Sequence, residues 1–559
     1  ILNVDADHLD FFKDLEDVEH SFRRFAELVP ADTGVVVADR DDQNTMETLA
    51  GLERPLITFG LEEGDVHAAG LEWVNGFPSF DIVFRGEKVI PAKEGEEPLD
   101  NFILAETNLR PGRASLSVTV EREERTWEAS EIVPVSEETP DHDCELHLAR
   151  MLYQTLSEIT GITPKWGVLT GIRPVKLVQR RLDQGLSREK VARELREDYL
   201  VSQEKLDLAF ATQQKEHAIL SRNTPDSFSL YISIPFCPSR CLYCSFVSHS
   251  IEKTYKLMDQ YIDCLCQEIA HTAEVARQAG LRLHTVYFGG GTPTSITAEQ
   301  LKKLTDCVAE HFDLSEVWEY TIEAGRPDTI TREKLQVIRD AGVTRISINP
   351  QTFNDDVLRF VGRKHPAQAV VDCYEMAREL GFDNINMDII AGLPTDTLDS
   401  FRHTVERLLE LGPENITVHT LSVKRSADLT GEKAVDLSSL TGDVTEMVDY
   451  AQRRLMENGY EPYYLYRQRN ILDNLENTGY CKPGKEGLYN VYIMDETHTI
   501  LACGAGGVSK LRDPHGDDIK RLFNFKYPYE YISRFEEILQ RKDETLAFYQ
   551  SHPIDGTKS

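Results

Sequence analysis

No run of about 18 uninterrupted apolar residues occurs in the 559-residue chain, so a membrane-spanning helix is not expected. The first residues, ILNVDADHLD, have neither the basic nor the apolar region of a secretory signal, and a cytoplasmic location is the expectation. Basic residues are in short supply: 61 Lys and Arg face 94 Asp and Glu, for a net charge of -33. Such a balance repels phosphate backbones and argues against nucleic acid as a partner. Cysteine is sparse as well, with ten residues. In a cytoplasmic chain these are not a disulfide framework, and a cluster among them points to metal or catalysis. Low-complexity tracts are missing and 41% of residues are hydrophobic, which fits a globular chain long enough for two to four domains.

The middle of the chain alternates between two periods. Short β-branched runs occur at 228–234, 284–288, 319–324, 344–349, 384–390 and 415–421. Helical spacing fills the gaps at 253–279, 297–311, 331–341, 366–380 and 397–411. Alternation of this kind predicts parallel strands joined by right-handed crossovers. Six units fall short of the eight of a closed barrel, so the expected fold class is α/β, a partial (β/α)6 TIM-like barrel with N-terminal and C-terminal accessory domains. The expected divisions are 1–94, 95–225, 226–430 for the barrel and 431–559.

Chemistry in such folds gathers at the carboxyl edge of the strands, and the unusual residues fall there. Cys237, Cys241 and Cys244 follow the first strand; Gly289, Gly290, Gly291 and Thr292 follow the second; Glu323 ends the third. Gln351 lies past the fourth, Asp388 in the fifth and His419 near the end of the sixth, where it is read as structural. Three thiolates spaced C-x3-C-x2-C can bind three irons of a four-iron cluster and leave the fourth open. A zinc site completed by His249 is the other use of this spacing. The glycine triplet lets backbone groups approach a ligand, and without a following Gly-Lys-Ser/Thr it is not a nucleoside-triphosphate loop.

Together, CPSRCLYC, GGGTPT, EAGRPD, NPQTF, GRKH and NMDIIAGLP resemble the radical S-adenosylmethionine superfamily, specifically the oxygen-independent coproporphyrinogen III oxidase (dehydrogenase) family and its HemZ-type branch, over about 95–545. The resemblance implies a [4Fe-4S] cluster on the three cysteines and S-adenosyl-L-methionine on its open iron, cleaved to a 5'-deoxyadenosyl radical. It implies cofactor contacts at Tyr231, Gly290, Gly291, Thr292, Glu323, Gln351, Arg363 and Asp388. It also implies oxidative decarboxylation of two propionates of a tetrapyrrole, coproporphyrinogen III, with a low-potential electron donor such as flavodoxin or ferredoxin. A polyanionic substrate needs cations. Residues 164–181 offer Lys165, Arg173, Lys176, Arg180 and Arg181, of which the last two read as a solvated helix face. Residues 460–470 add Arg467 and Arg469 amid tyrosines able to face a macrocycle. Lys165, Arg173 and Arg467 are the expected substrate contacts, with Arg173 foremost.

The sequence departs from that pattern at two points. Phe246 stands where the family archetype has a fourth cysteine, a cysteine that related heme chaperones also lack. ENTGYCKPG (476–484) stands where those chaperones have a His-Asn-x-x-Tyr-Trp stretch. Oxidase, chaperone and a heme-methylating, ring-opening enzyme are therefore the three expectations.

Before residue 90 the chain resembles something else. ILNVDADHLDFFKD, SFRRFAELVPADTGVVVADRDDQNT and FPSFDIVFRGE are similar to the central domain of UDP-N-acetylmuramate:L-alanine ligases, which implies Asn3 and His8 near ATP and its metal. The sequence has no phosphate-binding loop and no closing C-terminal ligase domain, so a fused or misjoined remnant without ligase activity is expected.

Overall fold

The computed structural model describes the chain apart from residues 1–14, 28, 30–35, 61–64, 75–76, 85–86, 90–100, 111, 123–124, 136–139, 172, 247–248, 423–442, 469, 517 and 555–559. Asn3, His8 and Arg469 thus lie outside the described residues. Two compact units are present, Ile1–Phe102 and Ile103–Ser559.

In the first unit, strands Val36–Asp39, Leu56–Gly60 and Val66–Val74 pair in parallel, and Phe77–Phe84 and Glu87–Val89 add antiparallel strands. Val36 and Ala38 turn inward onto Ala26 and Leu49, as period-two alternation requires. The Asp42 carboxylate caps the short helix Gln43–Thr48 by accepting from the Thr45 N–H at 2.7 Å.

The second unit is built on an eleven-stranded sheet. Its strands are β1 (Ser227–Ile234), β2 (Arg282–Gly290), β3 (Glu319–Glu323), β4 (Arg345–Ser347), β5 (Ile385–Ala391), β6 (Asn415–Thr420), β7 (Glu461–Tyr466), β8 (Asn477–Cys481), β9 (Thr499–Cys503), β10 (Val508–Arg512) and β11 (Ile519–Phe523). From β1 to β6 neighbours pair in parallel in chain order. The crossovers carry helices α1 (Met258–Gln278), α2 (Ala298–His311), α3 (Arg332–Asp340), α4 (Gln368–Glu379) and α5 (Leu398–Leu411). Strands covered on both faces need nearly continuous apolar runs, and seven of the eight residues of β1 are buried. Thr297, Thr331 and Thr397 cap α2, α3 and α5, and left-handed Gly412 ends α5. The partial barrel of the (β/α)6 type is the observed core.

The C-terminal region forms no separate layer. Strand β9 pairs in parallel with β1, on the side away from β2, and β10 and β11 follow antiparallel. At the other edge β8 pairs antiparallel with β6, and β7 with β8. An open barrel leaves two rows of unpaired backbone groups, and the last third of the chain covers both.

The region expected as one accessory domain, 95–225, divides in two. Strands Asn101–Arg110, Arg113–Arg122 and Arg125–Pro134 form a ribbon. Its inward residues Leu116, Val118 and Val120 share a small core with Met151 of helix Pro140–Thr160. Helices Pro174–Asp183, Arg188–Glu197 and Gln203–Leu220 instead contribute Val178, Val191 and Leu206 to the barrel core. Lys205, fully buried, ties them in through Glu476 at 2.6 Å.

Candidate active site

The cysteine loop leaves β1 and is pinned from three sides. Phe236 and Cys237 pair with His249 and Ser250, and the Leu242 N–H donates to Val361 O at 3.0 Å while its side chain enters a cluster with Val357 and Leu393. Ser239 donates to Gly362 O, and Arg326 Nη1 to Ser239 O. The same guanidinium stands 3.8 Å from Cys241 Sγ, and Cys237 Sγ lies 3.4 Å from Thr292 Oγ1. Burial pushes the Cys244 thiol up to about 11, so its deprotonation has to be driven by a bound metal.

The glycine loop is seated on the cysteine loop. The Gly291 and Thr292 N–H groups donate to Ile234 O and Phe236 O at 2.8 and 2.9 Å. A Cβ on Gly291 would lie 2.7 Å from Phe236 O and 3.0 Å from Cys237 Sγ, so no other residue allows this approach. Gly290 takes φ 105°, open in practice to glycine alone.

Three further strand ends supply polar groups. Burial raises Glu323 to about 7, against the pull of the hydrogen bond from Tyr287. Burial opposes ionisation of Asp388 too, but His419, Asn386 and Thr417 outweigh it and hold that pKa below the ordinary value. Gln351 adopts φ 66°, an uncommon conformation for a non-glycine residue, held by its N–H on Asp388 O and by Ile390 N–H on its own carbonyl. Its side-chain Oε1 is buried without a partner, as is Arg363 Nε. The other Arg363 nitrogens hold the carbonyls of Asn349, Pro350 and Gly325.

These groups converge. The three cysteines and all eight expected cofactor residues, Tyr231, Gly290, Gly291, Thr292, Glu323, Gln351, Arg363 and Asp388, line one cavity of about 540 Å³. Tyr464 and Tyr466 from β7, among the tyrosines expected to face a macrocycle, line the cavity too. The cavity also takes residues that the sequence did not single out. Tyr287 and Tyr489 stack at 4.3 Å with Tyr231 beside them. Arg326 and Lys510 are in the wall as well. His419, read as structural, also lines it, 3.8 Å from Asp388. Tyr287 carried a usable signal, since it stands one inward step before Gly289 on the same strand. Lys510 carried none, because its strand joins the site only through pairing with β9.

The expected substrate cations are placed elsewhere. Lys165 pairs with Glu204 and Asp449 at 2.5 and 2.7 Å, and Arg173 with Glu496 at 2.7 Å. Arg467 is 4% exposed and donates to the carbonyls of Leu169, Gly171 and Asn474. The reason is register: Tyr464 and Tyr466 turn to the cavity, which sends Arg467 to the opposite face. None of the three is in the cavity wall.

The donor set separates the two uses of the cysteines. Sulfurs sharing one zinc at about 2.3 Å each can be no more than about 4.6 Å apart. The three thiols are not all within 4.8 Å of one another; among the described residues only Asp513, Asp518 and His552 form such a group. His249 is not in the wall. A multi-iron cluster, in which each thiolate holds a different iron, does not need the sulfurs so close, and the unpartnered Gln351 oxygen and the bare Gly290–Gly291 backbone fit a polar cofactor beside it.

Residues 231–408 match the Radical SAM superfamily, and residues 1–92 match the Mur ligase middle domain. The chain is 42% identical over 390 residues to the oxygen-independent coproporphyrinogen-III oxidase-like protein HemZ of Bacillus subtilis (strain 168), covering 69% of this chain and 78% of that one. It is 34% identical over 284 residues to the heme chaperone HemW of the same organism, covering 50% and 70%. A solved structure of coproporphyrinogen III oxidase (HemN) from Escherichia coli aligns at 25% identity and a TM-score of 0.46, over 59% of this chain and 73% of that one. No helix of the described residues is long and apolar enough to cross a membrane. The chain belongs to the radical SAM superfamily, in the group of coproporphyrinogen-oxidase-like and HemW-like proteins, and shares the superfamily's [4Fe-4S] cluster and S-adenosylmethionine.

Proposed function

We propose that this protein is an oxygen-independent coproporphyrinogen III dehydrogenase of the cytoplasm, converting two propionate arms to vinyl groups to give protoporphyrinogen IX. The observation that carries the reading is the tyrosine-lined cavity in which the cysteine loop and every expected cofactor residue meet. Cys237, Cys241 and Cys244 would hold the cluster, and Gly290, Gly291, Thr292, Glu323, Gln351, Arg363 and Asp388 the cofactor beside it. Bound there, the pair supplies a primary carbon radical able to abstract hydrogen from an unactivated carbon.

The chain's own part is positioning. Flat rings at Tyr287, Tyr489, Tyr464 and Tyr466 line the cavity and offer faces to a macrocycle. Each arm must lose one hydrogen atom to the carbon radical, one electron to a one-electron acceptor, and carbon dioxide. Reduction of the cluster falls to a low-potential donor such as flavodoxin or ferredoxin.

The resemblance to HemW supports a second reading, a heme chaperone. Against it, the stretch ENTGYCKPG contains no histidine, and residues 477–481 form the fully buried strand β8. Anaerobic incubation of the iron-loaded protein with S-adenosylmethionine, reductant and either coproporphyrinogen III or heme separates the readings. The dehydrogenase gives 5'-deoxyadenosine, carbon dioxide and a divinyl product. Heme bound unchanged with no decarboxylation overturns it in favour of the chaperone, and S-adenosylhomocysteine with an opened tetrapyrrole moves it to heme modification.

The segment 1–94 we take to be a Mur-ligase-like remnant without ligase activity.

A further inference from the structure

One wall of the cavity is made by β10 and the helix Leu488–Asp495. Along β10 the odd-facing residues Ser509 and Leu511 are buried, while Val508 and Lys510 turn to the cavity. Lys510 Nζ donates to Glu496 Oε1 at 2.9 Å. That carboxylate also accepts from Arg521 Nη2 at 2.9 Å and from Arg173 Nη2 at 2.7 Å. Lys176 Nζ stands close by on the carbonyl of Asp495, at 3.2 Å.

Glu496 is held in place by its backbone, at the left-handed end of the helix with φ 56°. Burial alone would favour its neutral form, but Lys510 and Arg173 keep it down at about 2. It is therefore an anion at any working pH, and three cations share it. In a chain of net charge -33 this is a local surplus of positive charge, and Lys510 is its member in the cavity wall.

The cations of the wall are not equally free to serve a ligand. Arg326 is chelated by Asp328 at 2.9 and 2.7 Å, and Arg363 by backbone carbonyls. Lys510 alone among the wall's Lys and Arg side chains is paired with a carboxylate that two further cations also satisfy. A carboxylate entering the cavity can take Lys510 from Glu496 and leave Glu496 neutralised by Arg173 and Arg521.

We propose that Lys510 is the seat for a carboxylate arm of the substrate, with Glu496, Arg173 and Arg521 as the holder that presents it and releases it. The inference rests on the tetrapyrrole reading, since it assigns one propionate of that substrate to this residue. It also gives Arg173 a role one residue removed from the ligand.

Binding of coproporphyrin III, the stable oxidised form, tests the inference by fluorescence titration of the iron-loaded full chain. The Lys510→Met protein should bind at least tenfold more weakly than wild type, and Lys510→Arg, which keeps the charge, should recover most of that loss. Iron content and thermal midpoint equal to wild type show that both variants are folded. Lys510→Met protein that binds as tightly as wild type overturns the inference and leaves the tetrapyrrole reading standing. Wild-type protein that binds no coproporphyrin overturns both.

Discussion

Cys237 is buried while Cys241 and Cys244 are half-buried, and the loop that carries them is pinned by backbone bonds of Phe236, Leu242 and Cys244. Loss of one thiol therefore leaves the loop in place and removes one iron ligand. Cys241→Ala should lose its iron and sulfide after anaerobic reconstitution, whereas Cys264→Ala, on α1, should load like wild type; a full complement in Cys241→Ala would refute the cluster assignment. Glu323 gives a second residue-scale prediction. Its carboxyl binds a proton more tightly folded, at about 7, than unfolded, so stability falls as pH rises from about 4.5 to about 7 and is level above that. The loss amounts to about 3 kcal/mol. Glu323→Gln cannot pay it, so urea unfolding of the two apoproteins should show the variant gaining on wild type by about that much between pH 4 and pH 8. A difference independent of pH would mean that Glu323 titrates as in solvent.

At the scale of elements, the buried pair of Lys542 and Glu268 joins the helix Phe535–Ser551 to α1 at 3.1 Å. Glu268 also accepts from the Gly504 N–H, Tyr531 and Asn524, so the carboxylate stays enclosed if the lysine is lost. Lys542→Met should cost about 3 kcal/mol, read as a lower urea midpoint, because one buried charge loses its counter-ion. A midpoint like that of wild type would show the helix to be held by packing alone. Strands β1 to β6 and helices α1 to α5 stand where the alternation places them, since each is a largely apolar run or an amphipathic stretch, three of the helices with a threonine cap. Strands β7 to β11 were not legible, because their partners are far away in sequence: β9 joins β1, and β8 reverses onto β6. The same distance hid Lys510 and Tyr489, which β9, β10 and the helix before them bring to the cavity. The cofactor side was legible because its residues sit in the loops directly after the strands, where local motif and tertiary position coincide. The substrate side was not, since proximity of Arg173 and Arg467 to glycines and tyrosines says nothing of which face they take.

For the molecule as a whole, the division at Phe102 and Ile103 has a direct test. A chain beginning at Asn101, the start of the ribbon, should fold and take up iron, sulfide and S-adenosylmethionine like the full chain. Aggregation of that truncated chain, or loss of its cluster, would make the first unit part of the fold rather than an appendage. The parallel pairing of β9 with β1 bears on how the protein is made. Ser229 and its partner His498 are 269 residues apart. At about 5 to 20 residues per second the ribosome needs about 13 to 54 s to cover that distance. Throughout that interval the strand leading into the cysteines has one bare edge, and its thiols are presented by an unfinished barrel. Nascent chains stalled before residue 498 are therefore the ones with an edge open to edge-to-edge association.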